Sequence, residues 1–113
     1  MNILVIHPSF PGQFLYLANY LGRNPENKVY FLAEDNNIGV QLAGVKLGLY
    51  TKPSEEDMKK VETLGPLSTL GEAMLKGQQA VKAFDYLKSH EKFVPDVIVG
   101  HTGWGYLLYA KDY

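Results

Sequence analysis

The sequence predicts an α/β domain with a doubly wound, mostly parallel sheet of about four strands and flanking helices. Three observations predict it. Short apolar runs alternate with helical stretches in the order strand, helix, strand, strand, helix, strand, helix. The first run, Ile3-Leu4-Val5-Ile6, is apolar without a break, which suits a strand buried in the middle of a sheet. The chain has 113 residues, 46% of them hydrophobic and 20% charged, enough for one domain with a modest core and no more.

Each element has its own signal. Residues 2–7 form the first strand, stopped by Pro8. A helix over 12–21 follows: Phe14, Leu17, Ala18 and Leu21 recur at helical spacing, Pro11 suits the opening and Gly22 the exit. Val29, Phe31 and Leu32 carry a second strand over 28–33, and Val45, Leu47 and Leu49 alternate in a third over 44–50. The connection 34–43 is too short for a crossover helix. That places the third strand at an edge and leaves its direction open.

Ser54-Glu55-Glu56-Asp57 opens a short helix with an S-x-x-D cap, and Glu55–Lys59 and Glu56–Lys60 have the favourable i,i+4 spacing. This charge run reads as a solvated face rather than a partner-contacting flap. A long helix is predicted over 69–92, with Thr69 and Glu72 as a capping box. Its stripe is Leu70, Met74, Gly77, Val81, Phe84 and Leu87, with Met74 as core filler. Val94-Pro95 ends it, and Val97-Ile98-Val99 centre a fourth strand over 96–100. Residues 101–105 form a loop, and 104–113 begin a further helix. Doubly wound sheets usually have more strands, so residues 1–113 read as a single domain that is the first part of a larger one, or a minimal version of it. A fourth strand left at an edge predicts self-association, or residues 104–113 folding over that edge.

Composition excludes several classes. Eleven Lys and Arg against twelve Asp and Glu give a net charge of −1, so bulk electrostatics offers nothing to nucleic acid. With no cysteine there is no disulfide, thiolate metal site or Cys nucleophile. No apolar run is long enough for a membrane span or a signal-peptide core, which makes the cytoplasm the expected compartment.

Ligands of open α/β sheets bind beyond the carboxyl ends of the strands, where the strand order reverses. In the order 3-2-1-4 that point lies between the first and fourth strands. His7-Pro8-Ser9-Phe10-Pro11-Gly12-Gln13 follows one of them and His101-Thr102-Gly103-Trp104-Gly105 the other. Both loops lead into predicted helices, whose free N–H groups favour anions such as phosphate. Each residue also has a structural account. Gly12, Gly103 and Gly105 permit tight turns, Trp104 plugs the sheet end, and His7 is a hydrogen-bonded strand terminus. His101, at the switch point ahead of a glycine-rich turn, is the functional candidate. His90 near the end of the long helix suits the helix dipole and is ordinary.

Sharper motifs are missing. There is no G-x-G-x-x-G after the first strand, no P-loop and no metal-ligand spacing, so no metal site and no cofactor are assigned. Without the glycines, Glu34 after the second strand is a weak candidate for a ribose.

Three segments resemble the N-terminal domain of a bacterial glycosyltransferase family 4 group: Ile3–Phe14 with Phe10-Pro11-Gly12-Gln13-Phe14, Leu75–Val81, and Pro95–Gly105 with His101-Thr102-Gly103-Trp104-Gly105. They occur in the family's order and span nearly the whole chain. The resemblance implies a GT-B architecture of two Rossmann-like domains. The N-terminal domain mainly takes the acceptor, and the C-terminal one, not in this sequence, holds the nucleotide-sugar. By position, Gly12 matches a loop glycine that approaches the donor diphosphate, and His101 a histidine that contacts the reacting sugar. His7, Gln13, Gly103 and Trp104 complete the candidate substrate and phosphate site. The chain departs from the family pattern at Thr102, in place of proline, at Tyr106, in place of an acidic residue, and at Leu15, where a basic residue is frequent.

The leading expectation is therefore the acceptor-side domain of a glycosyltransferase that moves a sugar from a nucleotide-sugar to a saccharide, lipid or other acceptor, inactive as this domain alone. The rival is a non-catalytic, flavodoxin-like module that binds a phosphorylated ligand or a protein partner.

Overall fold

The computed structural model describes residues 1–36 and 39–113, so part of the 34–43 connection lies outside the described residues. The sheet has four strands: β1 (Asn2–Ile6), β2 (Lys28–Ala33), β3 (Val45–Leu49) and β4 (Val97–Gly100). Their order is β3-β2-β1-β4. All three pairings are parallel, with Ile3 opposite Val29 and Val97, and Phe31 opposite Leu47. This is a Rossmann-like sheet. The third strand lies at an edge, as the short connection requires, and its open direction resolves as parallel.

Alternation along the central strands divides the core into two layers. Leu4, Ile6, Tyr30 and Leu32 face the long helix α3 (Ser68–His90) and meet Ala80, Phe84 and Leu87. Ile3, Val5, Val29 and Phe31 face the other way, with Phe10 and Ala18 of the segment leading through α1 (Leu15–Arg23). The central position of β1 explains its uninterrupted apolar run: neither face sees water.

Several expectations need correction. The helix after β1 begins as a 3-10 turn, Gly12–Phe14, and becomes α-helical only at Leu15. Gly22 is not its exit but a buried residue inside it, closely packed on Gly44. A Cβ on Gly44, where φ is +75°, would overlap the Gly22 carbonyl oxygen. Ser54 does cap α2 (Glu55–Glu62), accepting from the Asp57 N–H at 3.1 Å. Glu56 pairs with Lys60 at 3.3 Å, whereas Glu55 and Lys59 form no ion pair among the described residues.

The stripe on α3 is buried only in its second half. Met74 is 43% exposed and Leu70 56%, so neither fills the core. The cause is length: 23 residues of α3 span about 34 Å, whereas strands of this size cover roughly 13–20 Å. The N-terminal turns of α3, with α2 against Gly71, overshoot the carboxyl end of the sheet. The predicted Thr69–Glu72 box does not form, because the helix starts one residue earlier, behind Leu67, with no side-chain cap. It ends at His90 rather than at residue 92, with Lys92 at φ +51°.

Residues 104–113 make turns and a short 3-10 segment, Ala110–Asp112, instead of an α-helix. Tyr106 and Ala110 are buried in the α3-side core, and Leu107 packs on Gly100. Val97 stays exposed on the outer strand.

Candidate functional site

The loop after β1 is tied to the end of β2 by backbone bonds. The His7 N–H donates to Leu32 O at 3.1 Å, Glu34 N–H to Pro8 O at 2.7 Å, and Phe10 N–H to Asp35 O at 3.0 Å. The Phe10–Pro11 peptide is cis. Gly12 then turns the chain at φ +51°, against the His7 imidazole, where a Cβ has no room. Gln13 sits on the following 3-10 turn, exposed, with no side-chain hydrogen bond among the described residues.

Beyond β4, His101 caps the 3-10 turn Thr102–Trp104: its Nδ1 accepts the Gly103 N–H at 2.9 Å. The Trp104 ring lies 4.5 Å from the His101 ring and 5.2 Å from the His7 ring. One tryptophan thus bridges the two histidines, and the adjacent strand ends bring both loops to one crevice. Gln13 lies on its rim.

The hydrogen bonds assign opposite tautomers to the two rings. His7 Nδ1 is 2.7 Å from the Ser9 carbonyl oxygen, a contact only a donor can make. That leaves its Nε2 as an acceptor. His101 Nδ1 accepts, so in its neutral form Nε2 carries the proton. The crevice therefore offers one imidazole acceptor and one imidazole donor on either side of an indole.

The anion-binding expectation holds only in part. The loop after β1 runs into an α-helix, but the turn after β4 has three residues and no α-helix behind it, so its macrodipole is small. The Gly103 N–H is already taken by His101.

A second polar group at this end of the sheet was not singled out from the sequence as a site. Glu34 extends the alternation Tyr30, Leu32 onto the α3 face, and its side chain is only 14% exposed. One oxygen, Oε1, accepts the hydroxyl of Tyr106, and Oε2 lies 3.9 Å from Lys52 Nζ. Burial raises the Glu34 carboxyl above its ordinary range, with Lys52 and Lys76 opposing that rise and Asp35 and Glu72 adding to it. Tyr50 stacks near Tyr106, ring centroids 5.0 Å apart, and its hydroxyl has no partner among the described residues. Period-two alternation continued past Ala33 was the signal for Glu34. Nothing local announces Tyr106.

His90 lies at the other end of α3, stacked on Tyr86 at 4.4 Å. A groove of about 520 Å³ runs between β3 and α3, lined by Leu47, Leu49, Tyr50, Gln79 and Tyr86. Among the described residues no three His, Asp or Glu side chains cluster to hold a metal, and no helix is long and apolar enough to cross a membrane.

Fold and crevice together define a Rossmann-like α/β domain with its polar, aromatic site at the topological switch point. The profile of the glycosyl transferase family 4 group matches residues 25–113, and the chain belongs to that family. The match includes the Leu75–Val81 and Pro95–Gly105 segments and leaves the Phe10–Phe14 motif outside it. No curated protein and no solved structure matches the chain.

Proposed function

We propose that this chain is the acceptor-side domain of a cytoplasmic GT-B glycosyltransferase, which transfers a sugar from a nucleotide-sugar to an acceptor. Family membership supports a transferase with a sugar donor and an acceptor as its substrates. The observation that carries the finer reading is the Trp104 bridge between His7 and His101, which gathers two imidazoles and the Gly12 turn at the switch point.

In this reading His101 is the catalytic residue. Its Nε2–H, freed by the Gly103 bond to Nδ1, donates to an oxygen of the reacting sugar as positive charge develops on the ring and negative charge on the departing diphosphate. The Gly12 loop, without a Cβ and at the start of the turn into α1, comes close beneath the phosphates, with His7 and Gln13 beside it. Trp104 packs both rings and excludes water from one side of the crevice. The nucleotide is held mainly by a second domain, so residues 1–113 alone transfer no sugar: holding both reactants in place can be worth roughly 7–11 kcal/mol of barrier, and one domain supplies half of it.

The test is turnover of the complete enzyme on a panel of nucleotide-sugars, with His101→Asn beside it. Asparagine keeps an oxygen for the Gly103 N–H but drops the imidazole donor. Turnover should fall roughly 10²-fold with the fold retained. Unchanged turnover, or transfer catalysed by residues 1–113 alone, overturns the assignment.

A further inference from the structure

The polar group around Glu34 is not used by the chemistry above. It stands at the same end of the sheet, two residues along the chain from Trp104, and is built from four elements. Glu34 comes from the end of β2, Tyr50 and Lys52 from the segment after β3, Glu72 and Lys76 from α3, and Tyr106 from the last turn. Tyr106, 2% exposed, fixes Glu34 by donating to Oε1. Lys76 is held by Glu72 at 2.8 Å and lies over the Tyr106 ring. Oε2 has only the distant Lys52 contact, and Lys52 itself is 62% exposed and free to move.

Two groups in this cluster are left short of partners. Oε2 of a largely buried carboxylate has no hydrogen bond among the described residues, only the 3.9 Å ion pair. The Tyr50 hydroxyl, on a residue 6% exposed, has none at all. A buried hydroxyl without a partner costs about 1–3 kcal/mol, so such groups call for an explanation. The charges around them select the chemistry that fits. An anion would face Glu34, Asp35 and Glu72; a cation would face Lys52 and Lys76. A neutral hydroxyl donates to the carboxylate and accepts from the ammonium or the phenol, so it satisfies both signs at once. The 520 Å³ groove shares Tyr50 with this cluster and has the size of a small-ligand site, which gives the rest of a hydroxylated molecule somewhere to lie.

We propose that Glu34, Lys52 and Tyr50 form a subsite for a hydroxyl group of a neutral polyol or saccharide acceptor, which extends from there along the groove between β3 and α3. This rests on the glycosyltransferase reading for the word acceptor, but not for the binding itself. It makes Glu34 a specificity-determining residue and Tyr106 the residue that positions it.

Methyl α-D-glucopyranoside is the probe, titrated into the chain and followed by backbone amide NMR. Saturable shifts are expected at Glu34, Lys52 and Tyr106. Glu34→Gln, which keeps an oxygen for Tyr106, should weaken binding at least tenfold. Should Glu34→Gln fail to fold, Lys52→Met at the exposed partner serves instead and should weaken binding severalfold. Inorganic phosphate and glucosamine are the charged controls and should leave these three amides unmoved. Shifts confined to the Gly12 and His101 loops, equal binding by Glu34→Gln, or preferential binding of phosphate or glucosamine at Glu34 would each overturn the subsite. Failure of the transferase reading shows elsewhere, as a complete enzyme that consumes no nucleotide-sugar while the glucoside still binds at Glu34.

Discussion

The hydroxyl of Tyr106 donates to the carboxylate of Glu34 across 72 residues of chain. It joins the turn that follows His101 and Trp104 to the end of β2, two strands away from β4. Both partners are largely buried, and Gly105 packs directly against Ala73 of α3, so the turn is held from two sides.

Tyr106→Phe tests that bond while keeping the ring in place against Tyr50. The loss should be about 1.5–3 kcal/mol of stability, as for a hydrogen bond to a charged group. Urea unfolding measures it. Losing a donor to the carboxylate should also raise the Glu34 carboxyl further, which a carbon-detected titration of the side chain follows. An unchanged midpoint would mean that the hydroxyl contributes nothing.

Glu34 also predicts a pH dependence. Its folded carboxyl titrates above the unfolded value because burial disfavours the charged form. Between those two values the folded chain holds more protons than the unfolded one, so this group's contribution to stability falls as pH rises through the window. Glu34→Gln removes the term. Relative to the wild type, the variant should gain stability from below the unfolded carboxyl value to neutrality, and a difference that is flat with pH contradicts the assignment.

Gly44→Ala is expected to be among the costly surface changes. The left-handed φ costs roughly 1–2 kcal/mol for a residue with a Cβ, and the new methyl would overlap the Gly22 carbonyl oxygen of α1. Thermal unfolding should show a loss above about 2 kcal/mol, because overpacking adds to the backbone strain. A loss within a few tenths would show that α1 and the start of β3 separate freely.

In the complete enzyme, His101→Ala should lower kcat by more than it raises the KM for the donor, since the contact strengthens toward the transition state. A purely structural His101 would give the opposite pattern: less stable protein, because the cap on Gly103 is lost, with unchanged turnover per folded molecule.

The outer strand gives a prediction about association. No backbone bond from residues 104–113 covers β4 among the described residues, and Val97 stays exposed. Sedimentation of the chain should reveal concentration-dependent self-association through this edge, weakened by Val97→Lys. A monomer at all concentrations contradicts it.

The strands were legible because the signal is local: Ile3 to Ile6 and Val29 to Leu32 are apolar wherever they end up, and a parallel sheet needs them so. The burial of α3 was not, because periodicity reports which face is apolar and not how far the sheet beneath it extends. Leu70 and Met74 continue the stripe past the point where the strands stop. The two loops could be placed together because the switch-point rule needs only strand order. Trp104 as a bridge between His7 and His101, and Tyr106 as the partner of Glu34, depend on the turn that replaced the expected last helix. No spacing in the sequence encodes that turn.

The strand that occupies the middle of the sheet is also the first to leave the ribosome. β1 can meet β2 early, yet its other edge pairs only with β4, and Asn2 bonds to Asp96, 94 residues later. At translation rates of 5–20 residues per second that interval is on the order of 5–20 s. During it, Ile3 to Ile6 present an open edge and a bare apolar face to the cytosol. Folding of this chain is therefore gated by synthesis of its last dozen residues, and a nascent chain arrested before β4 should be the form that chaperones hold and proteases find.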